Sequence, residues 1–251
     1  MKPPARTDTN PLARLRNRTP ARVALGHSGA GLPTAALLDF QLDHARARDA
    51  VHESLDAQRL AADLAPLPSL RVHSQAADRT VYLQRPDLGR RLAAECADAL
   101  PRDPYDVVFI LADGLSARAV QRHAAPTLRL ILRGLDDWRI APLIIATQAR
   151  VALGDDIGSC LGAKLAVMLI GERPGLSSPD SLGIYLTLDP RPGRRDHERN
   201  CISNIRSPQG LSYEEAAARA VWLLRAARRA GHTGVLLKED SAIIQPQDHG
   251  Q

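Results

Sequence analysis

The hydrophobic pattern changes character near residue 100. From Tyr105 to Leu111 apolar side chains run almost without a break, which predicts a strand buried on both faces. Ser116 to Leu135 then carries helical spacing, with an interruption expected near Pro126. Pro142 to Ala146 reads as a second apolar strand, Gly154 to Leu161 as a short helix, Leu165 to Ile170 as a third strand and Ile184 to Leu188 as a fourth. The last helix has the best-defined ends, because Ser212 and Glu215 form a capping box and Gly231 stands in the stop position. Strands and helices alternating over short links predict an α/β fold, a Rossmann-like, mostly parallel sheet with flanking helices. Ligands on such sheets bind beyond the carboxyl ends of the strands. Here that rule points to Asp113-Gly114, to Thr147 through Gly154 and to Gly171 through Gly175.

Before residue 100 the pattern is different. Ala35 to Leu55 contains neither Gly nor Pro and predicts a long helix capped by Thr34. Leu38, Leu42 and Ala45 share one face of it, and Asp39, Asp43, His44, Arg46, Arg48, Asp49, His52 and Glu53 make the rest densely ionic. Asp43 and Arg46 can pair within the helix, so the surface reads either as a solvated, self-paired face or as a docking surface. Pro3, Pro4 and Pro11 keep the beginning irregular. The expected organisation is a basic arm over 1–24, a helical region over 25–100, the sheet domain over 101–240 and a tail over 241–251.

Charge and composition then narrow the function. The formal charge is +5, and residues 1–24 hold Lys2, Arg6, Arg14, Arg16, Arg18 and Arg22 against Asp8 alone. The arm therefore accounts for the whole excess and the body is neutral, which removes the electrostatic footprint of a nucleic-acid binder. Two Phe, two Trp and four Tyr leave too few rings for base-stacking platforms. Apolar runs such as Leu165 to Ile170 are far shorter than a membrane span. Cys96, Cys160 and Cys201 are too scattered for a disulfide framework, and no apolar segment follows the basic start as a secretory leader would require. A cytoplasmic location is expected.

Motifs for self-sufficient chemistry are incomplete. Gly29-Ala30-Gly31 precedes the long helix after a candidate strand at Arg22 to Leu25, but the third glycine of a dinucleotide loop is replaced by Thr34 after Pro33. Gly158 to Lys164 displaces the lysine a phosphate loop needs. Neither a nucleophile elbow nor a metal-binding His/Cys spacing occurs, so no catalytic residue and no metal ligand is assigned.

Several segments nevertheless stand together. Thr19-Pro-Ala-Arg-Val-Ala-Leu-Gly26, the helix from Leu37 to His52, Asp113-Gly-Leu-Ser-Ala117, Gly171-Glu-Arg-Pro-Gly175 and Cys201-Ile-Ser-Asn-Ile205 occur in the order, and near the spacing, of the small subunit of ethanolamine ammonia-lyase. The chain resembles that family over about residues 12 to 240. The resemblance implies an adenosylcobalamin-dependent lyase that converts ethanolamine to acetaldehyde and ammonia by a radical route. Its large subunit is a barrel that holds substrate, and the small subunit completes the corrinoid site at the interface. The resemblance further implies a cofactor bound base-on; the chain agrees in lacking an Asp-x-His-x-x-Gly segment, and no residue here need ligate cobalt.

Family positions that contact the cofactor fall on Val151, Glu172 and Cys201. Glu172 would accept hydrogen bonds from corrin amides or nucleotide hydroxyls. Read without the resemblance, these three are an apolar loop residue, an acid paired with Arg173 and a buried thiol. The resemblance also turns the ionic helix of region 25–100 into the expected docking face for the large subunit, and leaves open enclosure in a bacterial microcompartment. The rival readings are a stand-alone Rossmann-like nucleotide-binding protein, which would need a phosphate loop that is missing, and a purely structural interaction subunit.

Overall fold

The computed structural model describes residues 15, 18, 19 and 21–237. Most of the basic arm and all of the 241–251 tail lie outside the described residues. The chain begins with α1 (Thr34–His52) and α2 (Ala57–Leu64), then β1 (Ser69–His73), α3 (Arg79–Gln84) and α4 (Ala94–Asp98). It continues through β2 (Val107–Ala112), α5 (Ala117–Leu132), β3 (Leu143–Thr147), α6 (Leu153–Leu161), β4 (Leu165–Gly171), β5 (Leu182–Leu188), β6 (Asn200–Ile205) and α7 (Tyr213–Ala230).

The six strands form one sheet in the order β1-β3-β2-β4-β5-β6. The first four in that order are parallel, while β5 and β6 each run antiparallel to their neighbour. The mostly parallel α/β sheet is therefore present, with an antiparallel edge. Residues 172–181 join β4 to β5 without a helix, and so short a link cannot make the crossover that a parallel strand would need. Region 25–100 is mainly helical but also donates β1, which pairs with β3 from Ser69–Leu143 to His73–Thr147.

Strand alternation divides the core into two layers. Val107, Phe109 and Leu111 of β2, with Leu143 and Ile145 of β3 and Leu165, Val167 and Leu169 of β4, pack against α2, α5 and α7. Val108, Ile110 and Ala112, Ile144 and Ala146, and Ala166, Met168 and Ile170 face the opposite way, against α6 and residues near α4. Every residue of β2 and β4 is buried, which explains their unbroken apolar sequence. The helix after β2 covers one face and the helix after β3 covers the other. Their carboxyl ends thus form a topological switch point, where open α/β sheets leave a crevice.

Three local expectations change. Pro33, extended at φ −56° and ψ 141°, occupies the N-cap of α1 and Thr34 is already helical, so Thr34 makes no cap. The helix α5 runs through Pro126 without a break, held by burial of Ala124, Ala125, Thr127 and Leu128 around it. Residues 22–25 form no strand, and Ala24 takes φ 55°. The capping box of α7 is as expected: the Glu215 amide donates to Ser212 Oγ at 3.2 Å, and Gly231 ends the helix at φ 73°.

Candidate functional site

Asp113, directly after β2, fills the switch point with its own carboxylate. Its oxygens accept from the Gln148 amide at 2.8 Å and the Ala149 amide at 3.0 Å, in the turn that follows β3. Arg79 of α3 reaches the same group at 3.3 Å and donates to the Gly114 carbonyl at 2.8 Å and the Val51 carbonyl at 2.7 Å. One guanidinium thereby ties the end of α1 to the end of β2. Burial pushes the Asp113 carboxyl up, opposed by the two amides and Arg79.

The open space lies just beside it. A cavity of 480 Å³ sits over the carboxyl ends of β2, β3 and β4, with Leu115, Val151 and Ile170 as apolar wall. Arg150, Arg173, Glu172 and Ser203 supply its polar groups, and Tyr82 and Tyr185 its rings. Two glycines let the backbone close up beneath it. Gly114, at φ +55°, lies so near β4 that an added Cβ would meet the Gly171 carbonyl oxygen at 2.2 Å, and one at Gly171 would meet that of Ser116 at 2.0 Å. The Leu115 amide donates to the Gly171 carbonyl at 3.0 Å across this contact.

Val151 and Glu172, expected from sequence, both line this cavity. The Glu172 carboxylate is held by its neighbours: Oε2 accepts from Ser181 Oγ at 2.5 Å and from the Asn204 amide at 3.2 Å. Gly183 leaves it room, since a Cβ there would stand 2.8 Å from Oε1. The pairing of Glu172 with Arg173 does not form among the described residues; its partners come from the residue before β5 and from β6 instead. Cys201 does not line the cavity. It is exposed on β6, opposite Tyr185 of β5, and its Sγ lies 3.2 Å from Ser203 Oγ. Tyr185 and Ser203 line the wall, so Cys201 borders the site through them.

The sequence did not single out Arg79, Tyr82 or Arg150. Tyr82 is fully buried, donates to the Ala149 carbonyl at 3.0 Å and is pushed up to about 12 by burial. The Arg79 and Arg150 guanidiniums stack on its ring at 4.8 and 4.3 Å. No periodicity links α3 to the turn after β3, so only the fold reveals this group.

The donor set suits the group that the resemblance implies. A corrinoid carries peripheral amides and one phosphodiester, and the cavity offers a carboxylate acceptor, two guanidiniums, a hydroxyl and an apolar floor, which suit those functions. At 480 Å³ the cavity would take only part of such a group. Among the described residues no cluster of His, Cys, Asp and Glu could hold a metal ion, and no helix is long and apolar enough to cross a membrane.

Comparison with known proteins identifies the family. Residues 9–238 match the family model described as ethanolamine ammonia-lyase light chain. The chain is 53% identical over 248 residues to the ethanolamine ammonia-lyase small subunit of Bradyrhizobium diazoefficiens, covering 96% of this chain and 95% of that one. It is 52% identical to that of Azotobacter vinelandii, with 94% and 91% covered, and 49% identical to that of Pseudomonas putida, with 97% and 93% covered. The chain belongs to the ethanolamine ammonia-lyase small-subunit family.

Proposed function

We propose that this chain is the small subunit of an adenosylcobalamin-dependent ethanolamine ammonia-lyase, active only with its large subunit, and that the strand-end cavity is its share of a base-on cofactor site at the subunit interface. The observation that carries the proposal is the convergence of Val151 and Glu172, from the ends of two different strands, on one open cavity in a chain of this family. When bound, the cofactor supplies an adenosyl radical that opens the conversion of ethanolamine to acetaldehyde and ammonia. This chain's part is to hold. Glu172, fixed by Ser181 and Asn204, keeps Oε1 free to accept from an amide. Val151 and Leu115 give apolar contact and keep water off the bound face. Cys201 reaches the cofactor's rim beside Tyr185.

Region 25–100 supplies the docking surface for the large subunit, with the exposed apolar residues of α1 at its centre. The neutral body gives no support to nucleic acid as a partner, and among the described residues no helix is long and apolar enough to cross a membrane. The test is co-expression with the cognate large subunit. The complex should carry corrinoid colour and release ammonia from ethanolamine with adenosylcobalamin, and the isolated small subunit should not. Deamination by this chain alone, or a stable complex that binds no corrinoid, would overturn the proposal.

A further inference from the structure

We propose that Arg150 is the cationic contact for the phosphodiester of the ligand in the strand-end cavity. The inference rests on the reading of that cavity as a corrinoid site and adds the residue that meets the ligand's one anionic group. Arg150 is rigidly placed: its amide donates to the Gly89 carbonyl at 2.8 Å, its guanidinium stacks on Tyr82 at 4.3 Å, and one terminal nitrogen donates to the Tyr82 carbonyl at 3.3 Å. Its Nε is buried without a hydrogen-bond partner, as is Nη2 of Arg79. Nor does any carboxylate among the described residues pair with it, whereas Arg79, stacked on the same ring, has Asp113 at 3.3 Å.

A guanidinium that lines a cavity and has no carboxylate partner is a ready contact for an anion. The one carboxylate lining the cavity, Glu172, makes no ion pair with it among the described residues and turns its Oε2 to Ser181 and Asn204. What remains is an anionic oxygen brought by the ligand, and a planar guanidinium locked in one orientation is well shaped to receive a phosphate. Arg173 also lines the cavity, but it is exposed and lacks the stack that would fix its direction.

The complex of both subunits, wild type and Arg150→Gln, would be titrated by equilibrium dialysis with adenosylcobalamin and with adenosylcobinamide, which lacks the phosphate-bearing nucleotide arm. Losing a hydrogen bond to a charged group should weaken adenosylcobalamin by about 10- to 150-fold and leave adenosylcobinamide within about 2-fold, with Arg150→Lys in between. Equal weakening of both ligands would mean a structural role and overturn the assignment. So would a selective loss in Arg173→Gln instead, or tight binding of inorganic phosphate alone at Arg150. No loss in Arg150→Gln while Glu172→Ala weakens both ligands would reject Arg150 but keep the cavity, whereas silence in both variants would remove the cavity itself.

Discussion

The sheet and the helix α1 are built from similar apolar residues and treat them in opposite ways. In β4 every side chain from Leu165 to Gly171 is buried. In α1 only Ala50 is buried, while Leu37, Leu38, Phe40 and Leu42 stand 42, 58, 38 and 49% exposed. Charges divide likewise. The side chains of Arg199 and Asp155, joined by two bonds of 2.7 Å, are each 2% exposed and tie α6 to the start of β6, with Thr187 as a further acceptor. The Asp43 pairs with Arg22 and Arg46 are partly exposed and contribute at most a few tenths of a kcal/mol to about 1 kcal/mol each. A long helix that buries almost nothing is not held by propensity alone. The sheet is thus finished within this chain, whereas α1 leaves an apolar and ionic face exposed, the face that the proposed function gives to the large subunit. Arg79, which bonds both the Val51 carbonyl and the end of β2, joins the two regions at the candidate site.

The comparison breaks most directly in the core. Phe109 is fully buried in β2, and Phe109→Ala should cost about 3–5 kcal/mol in denaturant unfolding of the isolated chain. Leu38→Ala should stay within about 0.5 kcal/mol of wild type in the same measurement. In the presence of the large subunit the ranking should reverse for α1. Leu38→Asp should weaken assembly, read by sedimentation, by at least about 1 kcal/mol or fivefold, while the isolated chain unfolds as before. Assembly untouched by Leu38→Asp, Leu42→Asp and the pair together would show that α1 is a solvated face after all.

Acid should sharpen the contrast more gently. His123 is buried, with Nδ1 2.8 Å from the Tyr213 hydroxyl and Asp180, Arg122 and Arg206 around it. Desolvation holds its imidazole below the ordinary 6.5, and Asp180 only partly offsets this. Between the folded and unfolded values the unfolded chain binds more protons, so stability rises with pH across that window and falls on acidification below about 6.5. Burial also works against the Asp180 carboxylate, but hydrogen bonds from Arg206 and Arg122 outweigh it and hold it below the usual range, so its contribution goes only at still lower pH. His123→Gln should flatten the decline in melting temperature between pH 7 and 5. An unchanged slope would place the titrating group elsewhere.

Much of this was legible in the residues, for reasons that differ by element. Strands buried on both faces announce themselves, and β2, β3 and β4 fall within a residue or two of their apolar runs. The edges do not. Ser69-Leu-Arg-Val-His73 alternates weakly with a charge at its centre, and Asn200 to Ile205 buries only Ile202 and Ile205, so neither carries a strong strand signal. The antiparallel turn at β5 depends on the absence of a helix between two strands, which composition does not state. For the site, the rule of strand ends led to loops that line the cavity, and the resemblance selected Val151 and Glu172 within them. Arg79, Tyr82 and Arg150 remained hidden because their relation is a stack between a short helix and a distant turn, with no spacing to betray it.

The central claim, that Glu172 faces a bound cofactor, is tested by the adenosylcobalamin affinity of the assembled complex with Glu172→Ala and Glu172→Gln, measured beside its melting temperature. Removing both oxygens should weaken binding by about 5- to 150-fold, corresponding to about 1–3 kcal/mol, while Gln, whose one oxygen can still accept, should lose less. The complex should remain assembled in both. Affinity equal to wild type in an intact Glu172→Ala complex, with only the melting temperature lowered, would mean that the carboxylate serves Ser181 and Asn204 alone and would contradict the account.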